Sequence, residues 1–372
     1  VSRQVQIVTQ DDIAPSAWDA VVSPGQRKPK LLHDWAAAMA RQYSRGGKLR
    51  VVAVGPRSAP EALLPLSVGE GWLRRHGFIA NDDGGLAVAR RDDAVLGDLA
   101  AGVIGLGKPV DLGFYPSDDP FIPAIRRAAR GRAVVVLKPQ ETPSAPWLDL
   151  DASWAEPGTH LSRNTRQSLR RNERRLRELG EVTFEVIEPE PEAVDGLLDT
   201  AVAVEAKGWK DRTGTALSHD HRQQAFFRDY ARTAAWAGRL HMAFLRLDGA
   251  AVAMSIGEIR DNVFWHYKIG YDESVAKFGP GAMMQNHLTA HLAERGVSRI
   301  EMQGHLAAYK KKWTDKAVPT TAVRIYPFTP RGLAAVGHDV ARQGLKRFEA
   351  RRMRAAKRET RKTPGTKPPR RG

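Results

Sequence analysis

The stretch LHMAFLRLDGAAVAMSIGEIRDNVFWHYKIGY, residues 240–271, decides the architecture of this chain. Two largely apolar runs, Leu240 to Leu247 and Ala250 to Ile259, flank Asp248-Gly249, a pair that accepts the positive φ angles of a tight hairpin turn. A third run, Asn262 to Tyr271, follows at once, so the segment reads as three antiparallel strands in a meander. Downstream come Gly279-Pro280-Gly281, a helical stretch ending at Glu294-Arg295-Gly296, a strand over Ser298 to Met302, a helical stretch from Ala307 to Trp313 and a strand over Thr321 to Tyr326.

Upstream, Ser162 to Leu179 reads as a helix stopped by Gly180, with Leu169, Leu176 and Leu179 near one stripe and arginines on the other faces. Val182 to Ile187 is a strand, and Glu192 to Trp209 and His219 to Trp236 are helices. The first 150 residues alternate in the same way. Strands are expected at Val5 to Thr9, Leu49 to Val54, Ala62 to Val68, Pro109 to Gly113 and Ala133 to Leu137, and helices at Ile13 to Val22, Leu31 to Tyr43, Asp93 to Leu106 and Pro120 to Ala129. This is α/β (α+β) patterning. Pro139 to Pro157 is the linker candidate, and Trp147-Leu148-Asp149-Leu150 inside it can be read as a crossover strand. The expected domains are 1–150, 151–330 and a basic extension over 331–372, of which Leu333 to Arg358 is an amphipathic helix and the rest a disordered tail.

With 372 residues and 42% hydrophobic content the chain can bury a large core. Its most apolar helix candidate, Val95 to Leu106, is short and contains Asp98, which excludes a membrane span there. Val1 to Gln6 lacks the apolar core of a secretory signal, so a cytoplasmic location is expected, with the inner membrane face as a peripheral alternative. Cysteine is absent, which removes disulfides, thiolate metal sites and a cysteine acyl-enzyme. The formal charge of +16 is concentrated: Leu161 to Glu178 holds seven arginines against two glutamates, and Ala341 to Gly372 holds thirteen Lys/Arg against two glutamates. The basic tail, 342–371, leaves three readings open: contact with RNA, contact with an anionic membrane, or a solvated segment with no partner.

Four ordered segments carry a resemblance. They are the arginine run from Arg163 to Arg175; Glu205-Ala-Lys-Gly-Trp-Lys-Asp-Arg-Thr-Gly-Thr-Ala-Leu217; His266-Tyr-Lys-Ile-Gly-Tyr-Asp-Glu273 running into Phe278-Gly-Pro-Gly281; and Met302-Gln-Gly-His-Leu-Ala-Ala-Tyr-Lys-Lys-Lys-Trp313. Together with the meander they resemble the GNAT superfamily, in particular the FemAB-like, cellulose-biosynthesis-associated acetyltransferases. The resemblance is close over Leu161 to Tyr326 and looser before it. Gly279 stands where that family usually has serine, and Gly270 where it has alanine.

The resemblance implies two GNAT-like domains, each a mixed sheet flanked by helices, and acyl transfer from acyl-CoA (acetyl-CoA) to an amine or hydroxyl acceptor in cell-envelope or exopolysaccharide metabolism. A small-molecule, glycan or lipid-linked acceptor is expected, and the oligomeric state is not readable. The alternatives are a Fem-type transferase using aminoacyl-tRNA and a non-catalytic GNAT-like adaptor. Amide groups at the helix start around Lys277, Gly279, Pro280, Gly281 and Ala282 would hold the coenzyme's diphosphate. Transfer needs a base, oxyanion stabilisation and a proton for the leaving thiolate. Glu205 is the first candidate for base, ahead of the Asp272 and Glu273 pair and of His266. Lys310 is the candidate for contact with the oxyanion or the acceptor, and Tyr309 or Tyr271 would protonate the thiolate. Trp209, Lys210, Lys268, Asp272 and Trp313 would shape the acceptor cleft. Glu205→Gln and Lys310→Ala are each expected to lower turnover with folding intact. His287 and His291 stand four apart on a helix, yet with no third ligand near them no metal site is expected.

Overall fold

Alternate side chains of Arg50–Val54 point into different cores: Val51 and Ala53 into one, Val52 and Val54 into another, all four fully buried. A strand apolar on both faces must lie between two packed layers, and that requirement organises the first half. The computed structural model describes residues 3–22, 28–69, 76–78, 86–89, 91–208 and 220–342. In chain order the first half holds β1 (Val5–Val8), α1 (Pro15–Ala20), α2 (His33–Tyr43), β2 (Arg50–Val54), β3 (Ala62–Val68), β4 (His76–Phe78) and β5 (Ala87–Val88). It continues with α3 (Asp93–Gly105), β6 (Val110–Pro116), α4 (Phe121–Ala128), β7 (Ala133–Pro139) and β8 (Trp147–Asp149). The Asp92 carboxylate starts α3 by accepting from the Val95 amide at 2.8 Å.

The second half contributes α5 (Arg163–Arg177), β9 (Val182–Ile187), α6 (Val194–Ala206), α7 (His221–Trp236), β10 (Leu240–Leu247), β11 (Ala250–Arg260) and β12 (Val263–Tyr271). Then come α8 (Pro280–Glu294), β13 (Arg299–Glu301) and β14 (Thr320–Pro327), and residues 330–342 are helical. The hairpin forms as its turn residues demand. Leu247 pairs with Ala250, and Asp248 and Gly249 take φ of 49° and 77°. In α5, Leu176 is fully buried, but Leu179 falls beyond the helix end and is 55% exposed, so the expected three-leucine stripe is shorter than its pattern suggested.

Two mixed sheets result. The first runs β1-β2-β3-β4-β6-β14-β7 with β5 on β3, and the second runs β8-β13-β12-β11-β10-β9. The halves exchange strands: β8 leaves the first 150 residues to pair with β13, and β14 returns from the end of the second half to lie between β6 and β7. A boundary at residue 150 with the strand at 320–327 assigned to the second domain therefore does not describe the sheets. Helices α3 and α4 cover the outer face of the first sheet. Between the sheets, α1 and α2 of the first half and α6 and α7 of the second share one core. On the far face of the second sheet, α5 and α8 close a third.

The shared layer contains a buried ionic cluster. Asp34 of α2 accepts from Arg239 and Arg260, both at 2.8 Å. The fully buried Glu258 accepts from Tyr230 at 2.9 Å and from Arg260 at 3.2 Å. Burial alone would lower the pKa of Arg260, but Glu258 and Asp34 outweigh it and hold the guanidinium above its ordinary value. Trp35, next to Asp34, lies edge-on to Phe226 and Tyr230 at 4.8 and 4.6 Å and tilted against Tyr267 at 5.4 Å.

Candidate active site

Strands β12 and β13 pair in parallel over three residues only, Val263 to Trp265 with Arg299 to Glu301. Beyond that point they part. A cavity of about 180 Å³ fills the fork. His266 through Ile269 form one wall, Met302 through Gly304 the other, Gln285 of α8 reaches the cavity, and Tyr309, Lys310 and Trp313 close it. The β12 wall is itself irregular: the register against β11 shifts between Ile256 and Gly257, so that Lys268 and His266, two residues apart, face adjacent partners. Such a bulge lets one strand aim side chains toward a site that a regular strand would turn away.

Five of the residues singled out in the sequence, His266, Lys268, Tyr309, Lys310 and Trp313, meet in this fork, and the structure adds Gln285 and Gln303. His266 is buried, and its Nε2 lies 2.8 Å from Ser255 Oγ. Lys268 donates to Gln223 Oε1 at 2.8 Å and sits over the Phe227 ring. The Lys310 ammonium is buried and donates to the main-chain oxygens of Met302, at 3.1 Å, and Gln303. Lys310 therefore braces the turn after β13, in which Gln303 and Gly304 take φ of 51° and 60°. The sequence reading gave it to the oxyanion or the acceptor, and a flexible ammonium is not what the packing leaves. Tyr309 is half exposed, and burial of its phenol pushes the pKa above the ordinary tyrosine value, so it is protonated at neutral pH.

The remaining expected residues lie off the cavity wall. Glu205 is buried under the far end of β12, its Cβ 3.4 Å from where a side chain on Gly270 would begin. Tyr271 packs against Gly281, whose added Cβ would stand 3.2 Å from its ring. Asp272 caps the turn that follows, accepting from the Ser274 amide at 2.8 Å. Burial works to raise its pKa, but the Ser274 bonds and Lys207 hold it below the ordinary carboxylate range. Glu273 donates its amide to Lys207 O at 3.1 Å. Trp209 and Lys210 lie outside the described residues.

At the start of α8, Pro280 has no N–H, and the Ala282 and Met283 amides turn back onto Gly279 O at 3.0 and 3.2 Å. Gly281 is left as the first-turn donor not directed at that carbonyl, so the helix start offers fewer amides than Gly-Pro-Gly suggested. The Lys277 ammonium stands 5.0 Å over the Phe278 ring, next to this turn.

Residues 163–311 match the family model described as the acetyltransferase (GNAT) domain. The second half of the chain carries a GNAT acyltransferase domain. Among curated proteins none matches the chain. Among solved structures, a conserved protein of unknown function from Bacteroides thetaiotaomicron is similar with a TM-score of 0.56 at 15% identity, covering 87% of this chain and 99% of that one. FemX gives 0.53 at 10% identity over 86% and 96%. A tandem GNAT protein from the clavulanic acid biosynthesis pathway gives 0.51 at 13% identity over 88% and 99%. At such identities the likeness is one of fold, and it extends over both halves, in keeping with two GNAT-like domains.

Within the GNAT domain the glycine at position 279 has a structural reason. Its φ of 65° and ψ of 48° are left-handed, which a serine there would adopt only with strain. The sequence showed the substitution without its cause. Gln303 lies within the Met302 to Trp313 motif, but no local pattern marks it as a site residue, because only the three-dimensional fork shows what its amide faces. Among the described residues no group of carboxylates and histidines is arranged to hold a metal ion, and no helix is long and apolar enough to cross a membrane.

Proposed function

We propose that the chain transfers an acyl group from acyl-CoA, with acetyl-CoA as the simplest donor, to an amine or hydroxyl acceptor in the fork between β12 and β13. The observation that carries this reading is the fork cavity itself, about 180 Å³ between two strand ends and closed by Tyr309 and Trp313. It has room for a thioester and an incoming nucleophile in contact, the arrangement that removes most of the entropic barrier to a bimolecular step. The coenzyme diphosphate would lie toward the start of α8, where Gly281 N–H, the positive helix end and Lys277 favour an anion.

Of the cavity-lining side chains, His266 is best suited to take the acceptor's proton. Lys268 and Lys310 are committed to Gln223 and to the β13 turn, and burial holds the Tyr267 phenol well above its ordinary pKa. Histidine is the side chain whose ordinary titration range lies near neutrality. Tyr309 then supplies a proton to the departing thiolate. The acceptor class is a sugar, lipid-linked or amino group of the cell envelope or an exopolysaccharide, as the family resemblance implies.

One observation favours a second donor. Arg163, Arg170, Arg171 and Arg174 are exposed along one side of α5, a surface suited to a polyphosphate chain such as aminoacyl-tRNA. Calorimetric titration of the full chain with acetyl-CoA and with aminoacyl-tRNA separates the two. Saturable acetyl-CoA binding, with thiol release on adding amine or sugar acceptors and loss of that release in His266→Gln, supports the first reading. Binding of aminoacyl-tRNA alone replaces it, and binding of neither favours an adaptor.

A further inference from the structure

Gln303 is only 5% exposed, and among the described residues neither its Nε2 nor its Oε1 has a hydrogen-bond partner. It lines the fork cavity. Its main chain is held at a φ of 51°, a left-handed conformation that a glutamine rarely takes, and the Lys310 ammonium fastens that turn through the carbonyls of Met302 and Gln303. A buried amide left unpaired and a strained backbone are both costly. A fold that spends a buried lysine to maintain them has placed that amide where a ligand completes it.

We propose that Gln303 is a catalytic residue of the transfer, its Nε2 donating to the thioester carbonyl oxygen and its Oε1 accepting from the N–H or O–H of the acceptor. A primary amide needs one partner that accepts and one that donates. The acyl donor brings only an accepting oxygen to the reacting centre, and the nucleophile brings the donating hydrogen, so one side chain aligns both. As the acceptor's lone pair forms the new bond to the carbonyl carbon, the C=O π pair moves onto the oxygen held by Nε2. Its return breaks the C–S bond and expels the CoA thiolate. An amine acceptor passes a second hydrogen to His266, and the single proton of a hydroxyl acceptor turns from Oε1 to His266 as the new bond forms; the thiolate receives its proton from Tyr309. A neutral side-chain donor fixed in advance and shielded from water is well suited to a developing oxyanion.

This inference rests on the fork being the acyl-CoA site, and the test separates the two. Acetyl-CoA labelled with ¹³C at the carbonyl is first titrated into the full wild-type chain. Absence of binding would overturn the acyl-CoA reading and this proposal with it. With binding, the infrared carbonyl band of the bound thioester is compared among wild type, Gln303→Leu and Gln303→Met. The expected result is a band shifted to lower frequency in the wild type and returned toward its free position in the variants, with affinity for CoA itself unchanged. Methionine preserves the length of the side chain if leucine prevents folding. An identical bound band in wild type and in whichever variant folds, or an equal loss of affinity for CoA and acetyl-CoA, contradicts the assignment while leaving the fork as the binding site.

Discussion

The Lys310 ammonium is bonded to the main-chain oxygen of Gln303, seven residues earlier, and to that of Met302. The side chain that ends the fork thus fixes the wall opposite His266. Removing it leaves two buried carbonyls without their charged donor. Lys310→Met is expected to cost about 2 kcal/mol of stability, from the usual penalty for such orphaned groups. Urea unfolding of wild type and variant measures this. Loss of turnover with no loss of stability would return Lys310 to the direct role that its sequence context suggested.

The two halves are held together by charge as well as by apolar packing. Glu258 is fully buried among Tyr230, Arg239 and Arg260, and Asp34 reaches the same arginines from α2. Glu258→Gln leaves those guanidiniums short of a counter-charge in the interior, a change that typically costs about 3–5 kcal/mol. Chemical denaturation followed by fluorescence should show one transition at lower denaturant. An unchanged midpoint would mean that the cluster contributes nothing to joining the halves.

Trp35 belongs to the first half, yet it packs on Tyr267, which lines the fork of the second. Trp35→Ala is expected to destabilise the chain by about 3–5 kcal/mol, as large buried aromatics do when truncated. The milder Trp35→Phe should keep the fold and weaken acetyl-CoA binding by letting Tyr267 shift. Titration of Trp35→Phe with wild-type affinity would show that the first half does not support the site.

Glu173 of α5 is held at a pKa of about 2 against an ordinary 4.5, first by its bond to His287 and then by Arg177, with burial acting against them. Its folded-state pKa is depressed, so its contribution to stability is complete above the ordinary value and is lost as pH falls from about 4.5 toward about 2. Wild type should therefore exceed Glu173→Gln in stability at neutral pH, with the gap closing across that acid window. Parallel stability curves for the two proteins from pH 6 to pH 2 would contradict the pairing.

Much of the second sheet is legible in the residues, for physical reasons that act locally. Asp248-Gly249 dictates a two-residue turn, and the runs on either side are long enough and apolar enough for central strands. The partners of β8 and β14 are not legible. An apolar run such as Thr321 to Tyr326 reads as a strand, but nothing within it says that it will lie between β6 and β7 rather than beside β13. At the site, Tyr309, Lys310 and Trp313 could be picked from their motif, whereas their tasks could not. Whether a lysine faces solvent or binds two carbonyls depends on a turn made seven residues away. Glu205 is attractive as a base because of its neighbours in sequence, yet it is buried beside Gly270 under β12, off the cavity wall, a placement that no local pattern reveals.

The central claim is that an acyl-CoA lies along β12 with its thioester in the fork. Hydrogen–deuterium exchange of the full chain with and without saturating acetyl-CoA tests it most directly, because it locates the ligand without knowledge of the acceptor. The expected result is slowed exchange at the amides of residues 266–271, around Gly281, and over 302–313, with the first sheet unchanged. Binding that protects none of these segments, or that protects the first sheet instead, would contradict it.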